Sequence, residues 1–426
     1  MLFGVVALSV AAAAAEGPTA AAGRTVATSV APGASAVGSP IRWPSPWPSP
    51  SPSPSPSPSP SLGPSPSPSP GPSPSPRPSA PPTGADGDAF TLVATGDLLI
   101  HGPVASRALA DGDGKRYDFR PMLRKVRPII AGADLALCHI ETPMSADDRD
   151  ISGYPIFNTP HELADAVAWA GYDGCSTASN HSVDRGLVGV RDTLHALDAR
   201  RLAHAGTARS ATEARRIELH AVKGAVVAHL SYTYGTNGMP VPAGAPWSVN
   251  LISIRGILAD ARRARAAGAT FVVVSLHWGE EYRTEPTSTQ LSQAKVLLAS
   301  PDVDLILGDH VHVQQPVERV GDKYVVYGMG NLLSNQSPAA ALAPQTQDGA
   351  IVGVRVVRRA GRWVADGVSI TATYCQIGPY TVWPVTRALA QASTPASLRA
   401  DLTASLARTK AIYASLKGHR HDASVL

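Results

Sequence analysis

Residues 303–315 read VDLILGDHVHVQQ. The apolar run from Val303 to Leu307 fits a buried strand, Gly308 reads as its end, and His310 and His312 follow with one residue between them. Two imidazoles just past a strand end stand where an open α/β sheet presents ligands to its crevice. Such a pair points to a metal site and raises one question: do other strand ends of this chain supply partners?

Working outward, several do. Residues 270–276 form a long β-branched run, expected as a central strand, and it ends in His277-Trp278-Gly279-Glu280-Glu281. Residues 90–95 read as a buried strand running into Gly96-Asp97. Residues 134–140 read as a strand delivering His139 and Glu141, and residues 172–177 as a short strand ending in Ser179-Asn180-His181. Helical spacing of apolar residues predicts helices over 119–130, 161–170, 187–200, 254–267 and 291–299, with one more from Pro103 and a polar helical tail from 385. A further short strand is expected at 203–206. Residues 217–222 with 225–232, 316–320 with 324–327, and 351–357 with 363–374 read as paired strands around short turns. The Gly- and Pro-rich stretch 235–250 fits a rim or lid. Strands alternate with helices first and hairpins come later, which predicts a layered α/β fold with a partly antiparallel sheet.

Composition bounds the rest. Twenty of the 39 prolines lie between Pro40 and Pro82 in a near-regular Ser-Pro repeat. That segment has no apolar periodicity and few backbone donors, so it is expected as a disordered, polyproline-II-like spacer. At about 3.1 Å per residue it would reach on the order of 100 Å. The chain opens MLFGVVALSVAAAAAEGP, an apolar run ending in small residues like a signal peptide, but without a positively charged start. Either the start lies upstream or the segment is an anchor. The expected organisation is a signal-like or anchor segment (1–17), a Ser-Pro spacer (18–86), a folded domain (87–378) and a helical extension (379–426). The expected place is outside the cytoplasm, held at membrane or wall by the N-terminal segment.

The net charge is only +4, and the arginines are scattered on expected helix faces such as Arg262, Arg263 and Arg265. No basic stripe interleaved with aromatics occurs, which argues against nucleic acid as a partner. The spacings of Cys138, Cys175 and Cys375 match no zinc pattern, and Cys138 and Cys175, inside apolar runs, are expected as buried free thiols and not as part of a disulfide scaffold.

Each strand-end residue has a plain alternative: a lone histidine is often a hydrogen-bonded structural residue, and Asp97 also fits a helix N-cap. Five coincidences are harder to set aside. Two carboxylates (Asp97, Glu141), one amide oxygen (Asn180) and several imidazoles suit a pair of divalent ions better than one zinc. Two such ions can clamp a tetrahedral group and generate hydroxide at neutral pH.

The motifs ATGD (94–97), IETP (140–143), SNHSVDRG (179–186), SLHWGEEY (275–282), GDHVHVQQ (308–315) and YGMGNLL (327–333) resemble the CapA family. That family is named for capsule or poly-γ-glutamate synthesis and belongs to the calcineurin-like metallophosphoesterase superfamily. The resemblance covers residues 90–376. It implies a four-layer α/β/β/α sandwich with mixed sheets and a two-metal cleft (Mn, Zn, Fe or Mg) at the strand ends. Asp97 and Glu141 would hold the metals, one of them bridging. Asn180, His277 and His310 would belong to one ion and His312 to the other, with His181 as general acid. His139, Asp184, Glu280, Asp309 and Asn331 are placed around the site as supporting or substrate residues, with Glu281 sharing that expectation with Glu280. The sequence departs from the pattern at Leu99, where the superfamily has histidine; at His139, where the family has asparagine and the imidazole is open between supporting donor and extra ligand; and at Asp309, where histidine is usual and the carboxylate is open between orienting an imidazole or binding substrate and facing solvent or capping.

The implied function is a metal-dependent hydrolase or transferase in synthesis or processing of an anionic envelope polymer or a phosphoester, working beside membrane-bound synthesis machinery. The alternative is an accessory protein that holds metal and binds the polymer without turnover. A purely structural exported domain would require the histidine pair, Asn180-His181 and His277 to coincide by chance.

Overall fold

The computed structural model describes residues 88–416 and 423–426; the expected leader and Ser-Pro spacer lie outside the described residues. In chain order the elements are β1 (Ala89–Leu98), α1 (Gly102–Asp111), α2 (Arg120–Leu123), α3 (Arg127–Ile130), β2 (Leu135–Ile140), α4 (Leu163–Ala170), β3 (Gly174–Ser176), α5 (Gly186–Ala199) and β4 (Ala203–Ala205). There follow β5 (Glu218–Val222), β6 (Ala225–Thr233), α6 (Ile254–Ala266), β7 (Phe271–His277), α7 (Ser288–Ala299), β8 (Leu305–Asp309), β9 (Val317–Val320), β10 (Lys323–Val326) and β11 (Asn331–Leu333). The last are β12 (Asp348–Arg359), β13 (Arg362–Gln376), β14 (Thr381–Pro384), α8 (Val385–Ala390), α9 (Ala396–Tyr413) and β15 (Ala423–Val425).

Two mixed sheets result. One runs β14-β13-β12-β1-β2-β3-β4, with β11 beside β1 and β15 beside β13; the other runs β5-β6-β7-β8-β10-β9. Alternation along the strands explains why they stack. On β7, Phe271 and Val273 join Phe90 and Leu92 of β1 and Leu305 of β8 between the sheets. The intervening Val272, Val274 and Leu276 pack on Ile257 and Ala261 of α6 and Leu297 of α7. On β1 and β2, Val93, Ala136 and Cys138 turn the other way, onto Leu163 and Val167 of α4 and Leu194 of α5. A strand buried on both faces needs apolar residues at successive positions, as β7 has. The layers are therefore α/β/β/α, as expected, with each fully buried Leu, Val or Phe contributing about 1.5–3 kcal/mol.

The structure departs from the sequence reading in several places. The helix expected over 119–130 is split into α2 and α3, each with a proline in its first turn. Pro128 has no N–H to return to the Arg124 carbonyl, so one continuous helix cannot close. Helix α7 starts at Ser288, earlier than expected, because Thr287 and Gln290 cap each other reciprocally. Cys138 and Cys175 are not free: β2 and β3 pair in parallel with these two residues opposite one another, Cα atoms 4.4 Å apart, and a disulfide joins them. Their separation of 37 residues hides that adjacency. Cys375 is the buried free thiol. The tail is helical as expected, but β14 and β15 from the same segment pair with β13, so it completes the large sheet as well. Among the described residues no helix is long and apolar enough to cross a membrane.

Candidate metal centre

The parallel strands β1, β2, β3, β6, β7 and β8 all end on one side, where the two sheets meet. Register does the first part of the assembly. Asp97 on β1 pairs with His139 on β2 and with Asn331 on β11, and His277 on β7 pairs with Asp309 on β8. Gly96 lets the chain run close: a Cβ there would sit 1.9 Å from the Gly330 carbonyl oxygen, to which the Asp97 N–H donates. Asp97 is not a helix cap; α1 follows His101 without a side-chain cap.

Loops past the strands supply the rest. His312 Nδ1 lies 3.0 Å from Asp97 Oδ2 and 3.2 Å from Asn331 Oδ1, and its Nε2 is 3.8 Å from Glu141 Oε1. Asn331 also donates to the carbonyl oxygens of His312 and Thr346, so its amide is locked as the brace of that ring. The His310 N–H donates to Asp97 Oδ1. His277 Nε2 lies 2.8 Å from Asn180 Oδ1 and 3.9 Å from Glu141 Oε1. Asn180 in turn donates to Asn237 Oδ1, at 3.1 Å, from within the expected rim stretch. His310 and His312 both take positive φ, 92° and 58°, a region that costs a non-glycine residue about 1–3 kcal/mol.

The donors form overlapping groups. Asp97, Glu141 and His312 offer one ligand atom each within 4.8 Å, as do Asp97, His139 and His277, and Glu281, His310 and His312. All but Glu281 are buried. Asp184 and His181 stand beside them: His181 Nδ1 is 2.8 Å from Asp184 Oδ2, which also accepts the Phe157 N–H. Glu280 does not join the cleft. It is exposed and paired with Arg283, and its neighbour Glu281 takes the inward place. Asp309 is buried behind His139, its Oδ2 3.9 Å from the His139 Nδ1, which rules out a solvent-facing role.

Electrostatics follow from burial and crowding. Burial holds His277 well below its ordinary value, His310 at about 3 and His139 at about 4, so all three are neutral, the ligating form. Burial lifts Glu141 and Asp309 well above the carboxylate range. Burial also works against charge on Asp97, but the hydrogen bond and charge of His312 outweigh it and hold Asp97 low. His312, opposed by burial yet beside Glu141 and Asp97, rises to about 9. Both oxygens of Glu141, and His139 Nε2, His277 Nδ1, His310 Nδ1 and Asp309 Oδ1, are buried without a hydrogen-bond partner. Unpaired buried polar atoms are costly, and Glu141, His139, His277 and His310 all belong to the clustered groups, where a cation fits as partner. The residues present therefore fit divalent metal.

Sequence reading missed the aromatic and polar frame. Tyr234 lies over His310 at 4.5 Å between ring centroids, Tyr282 beside His312 at 5.9 Å, and Phe157 edge-on to His181 at 4.7 Å. Tyr234 follows the end of β6, so the strand-end rule that found the others would have found it. A cavity of about 300 Å³ lined by Leu99, His101, Tyr154, Glu281, Tyr282 and Gln336 opens beside His181 and His312.

A two-sheet α/β/β/α sandwich with a buried carboxylate–imidazole centre at its strand ends is the class these features define. Residues 91–336 match the family described as "Bacterial capsule synthesis protein PGA_cap", and the chain belongs to that family. The capsule biosynthesis protein CapA of Bacillus anthracis is 26% identical over 275 residues, covering 63% of this chain and 64% of the relative. The PGA biosynthesis protein CapA of Bacillus subtilis (strain 168) is 26% identical over 244 residues, covering 53% and 59%. The chain thus spans less than two thirds of the length of these curated relatives. Among solved structures, the calcineurin-like phosphoesterase YfkN from Bacillus subtilis aligns with 12% identity and a TM-score of 0.40, over 76% of this chain and 99% of that one. The layer order described above, not that likeness, defines the fold.

Proposed function

We propose that this chain is an exported protein of the cell envelope that acts in synthesis or processing of a capsule-type anionic polymer, poly-γ-glutamate or a related phosphoester-bearing chain, as a metal-dependent hydrolase or transferase. The observation that carries the reading is the set of overlapping carboxylate–imidazole groups whose ligand atoms lie within 4.8 Å of one another, several of their buried atoms having no hydrogen-bond partner. The relatives' names support the polymer class. Asp97, Glu141, Asn180, His277, His310 and His312 would hold two divalent ions. Bound there, the ions would supply an activated hydroxide and neutralise charge on the reacting group.

The chain's own residues do the rest. His181 keeps its Nδ1 on Asp184, which fixes the ring and leaves Nε2 for proton transfer to a leaving group. Asn237, 3.5 Å from that Nε2, and Phe157 hold the ring in place. Tyr234 and Tyr282 roof the imidazoles and limit water. The N-terminal apolar segment serves as signal or anchor, and the Ser-Pro segment holds the domain away from the membrane or wall beside its synthesis machinery.

Metal analysis of the purified chain, followed by a screen of phosphoester and γ-glutamyl substrates with added Mn²⁺ or Zn²⁺, tests this. Bound metal with turnover is expected. Absence of divalent ion under every loading condition would sink the metal reading. Leu99, buried and apolar two residues after Asp97, offers no donor, which favours the second reading of a metal-holding polymer binder. Metal and polymer binding without turnover would select it.

A further inference from the structure

His139 is held in the centre by a single ring hydrogen bond whose sense fixes its free nitrogen. It lies on β2 opposite Asp97, and its Nδ1 is 2.8 Å from Ser176 Oγ on β3. Ser176 has a single hydroxyl proton and donates it to the Cys138 carbonyl oxygen, 3.2 Å away. With that proton on the carbonyl, the Ser176 oxygen accepts at His139, and Nδ1, which also has Asp309 Oδ2 at 3.9 Å, is assigned the ring proton. Nε2 is then a bare lone pair. It is buried, has no hydrogen-bond partner, and lies 3.8 Å from Asp97 Oδ1.

Two electron-rich atoms facing each other in a dry pocket repel unless a positive charge lies between them. Their separation is too long for a hydrogen bond. It is the span kept by two ligands of one ion, since donors at about 2.0–2.2 Å from a shared metal stand roughly 3–4 Å apart. The third donor is at hand: the His277 ring centroid is 4.8 Å from that of His139, and Asp97, His139 and His277 offer ligand atoms all within 4.8 Å. Leu99, along β1's exit, supplies no donor to the Asp97 side; His139 on the neighbouring strand does.

We infer that His139 is a direct metal ligand through Nε2, sharing one divalent ion with Asp97 and His277, and that Ser176 is the positioning residue that selects its tautomer. This rests on the metal reading of the centre given above. It gives this chain an imidazole ligand from β2, where sequence reading left the residue's role open between ligand and support.

The test uses the full chain, stripped of metal and titrated with Mn²⁺ and with Zn²⁺ by calorimetry, together with zinc K-edge absorption to count imidazoles per ion. Wild type is compared with His139→Asn, His139→Gln and Ser176→Ala. His139→Asn and His139→Gln are expected to weaken one ion by about 100-fold or more and to lower the imidazole count. Ser176→Ala, which keeps the ring, is expected to weaken the same ion by about 10-fold with the count unchanged, the usual size of a supporting hydrogen bond's effect. Unchanged affinity and imidazole count in the His139 variants would overturn the inference while leaving the metal reading intact. Failure of wild type to bind either ion would overturn both. Should the His139 variants not fold, Ser176→Ala decides: an unchanged affinity there removes the tautomer argument and the inference with it.

Discussion

His310 and His312 both sit at positive φ, and the turn that bears them is pinned from several sides: the His310 N–H by Asp97, the His312 ring by Asp97 and Asn331. Strain of that kind persists where the surroundings over-determine it, and it recurs at ligand sites. His312→Ala and Asp97→Ala are expected each to lower the metal content of the purified protein, read by elemental analysis; full retention in both would mean that neither holds an ion. His181→Gln makes the opposite prediction. Its ring is fixed through Asp184, so turnover should fall by about 10²–10⁴-fold, the usual worth of a positioned acid, with metal content nearly unchanged. Metal loss in that variant would make His181 a ligand. At this scale the residue types were legible in the sequence, because strand ends announced themselves. Which of Glu280 and Glu281 turns inward was not, since the choice depends on the Arg283 pairing and on Tyr282 at φ 65°.

Strand β8 shows what a single element adds. Gly308 reads as the end of the strand, yet the strand continues through Asp309. The glycine is there because the Tyr327 carbonyl oxygen and the Trp278 indole close on it: an added Cβ would lie 2.0 Å from the first and 2.7 Å from Nε1 of the second. Those two groups are themselves joined by a 3.0 Å hydrogen bond from the indole N–H. Glycine inside a strand commonly marks such an approach. Gly308→Ala should therefore destabilise the fold by about 1–3 kcal/mol or more through overpacking, read from denaturant melts. An unchanged midpoint would show that the neighbours can give way. The apolar runs made most strands readable, while boundaries moved wherever a cap or a proline intervened, as at Thr287-Gln290 and Pro128.

Across the whole molecule, closure of one sheet on the other buries ionisable groups outside the set of candidate metal ligands too. His229 on β6 faces the other sheet in line with Ala225 and Val227, with its Nε2 2.9 Å from Ser275 Oγ. Burial lowers its pKa to about 3. The unfolded chain's histidine titrates near pH 6.5, so both states are neutral above that value. Below it the unfolded state takes a proton that the folded state refuses, and stability falls as pH drops from about 6.5 toward 3. His229→Gln should flatten that slope by about 1.4 kcal/mol per pH unit, measured by urea melts between pH 6 and 4. A slope equal to wild type would mean that His229 is already protonated in the fold.

The sequence by itself determined the alternation of strands and helices, the two-faced apolar runs that require layers on both sides, and the polar residues placed at strand ends. These follow from local periodicity and composition. Tertiary structure alone decided which strand ends meet. It set Asp97 beside His139 and His277 beside Asp309 by register, joined Cys138 to Cys175 across adjacent strands, and brought Tyr234, Asn237 and Ser176 to the centre from separate elements. Contacts of that kind depend on packing between residues distant in the chain, and no local pattern encodes the distance between them.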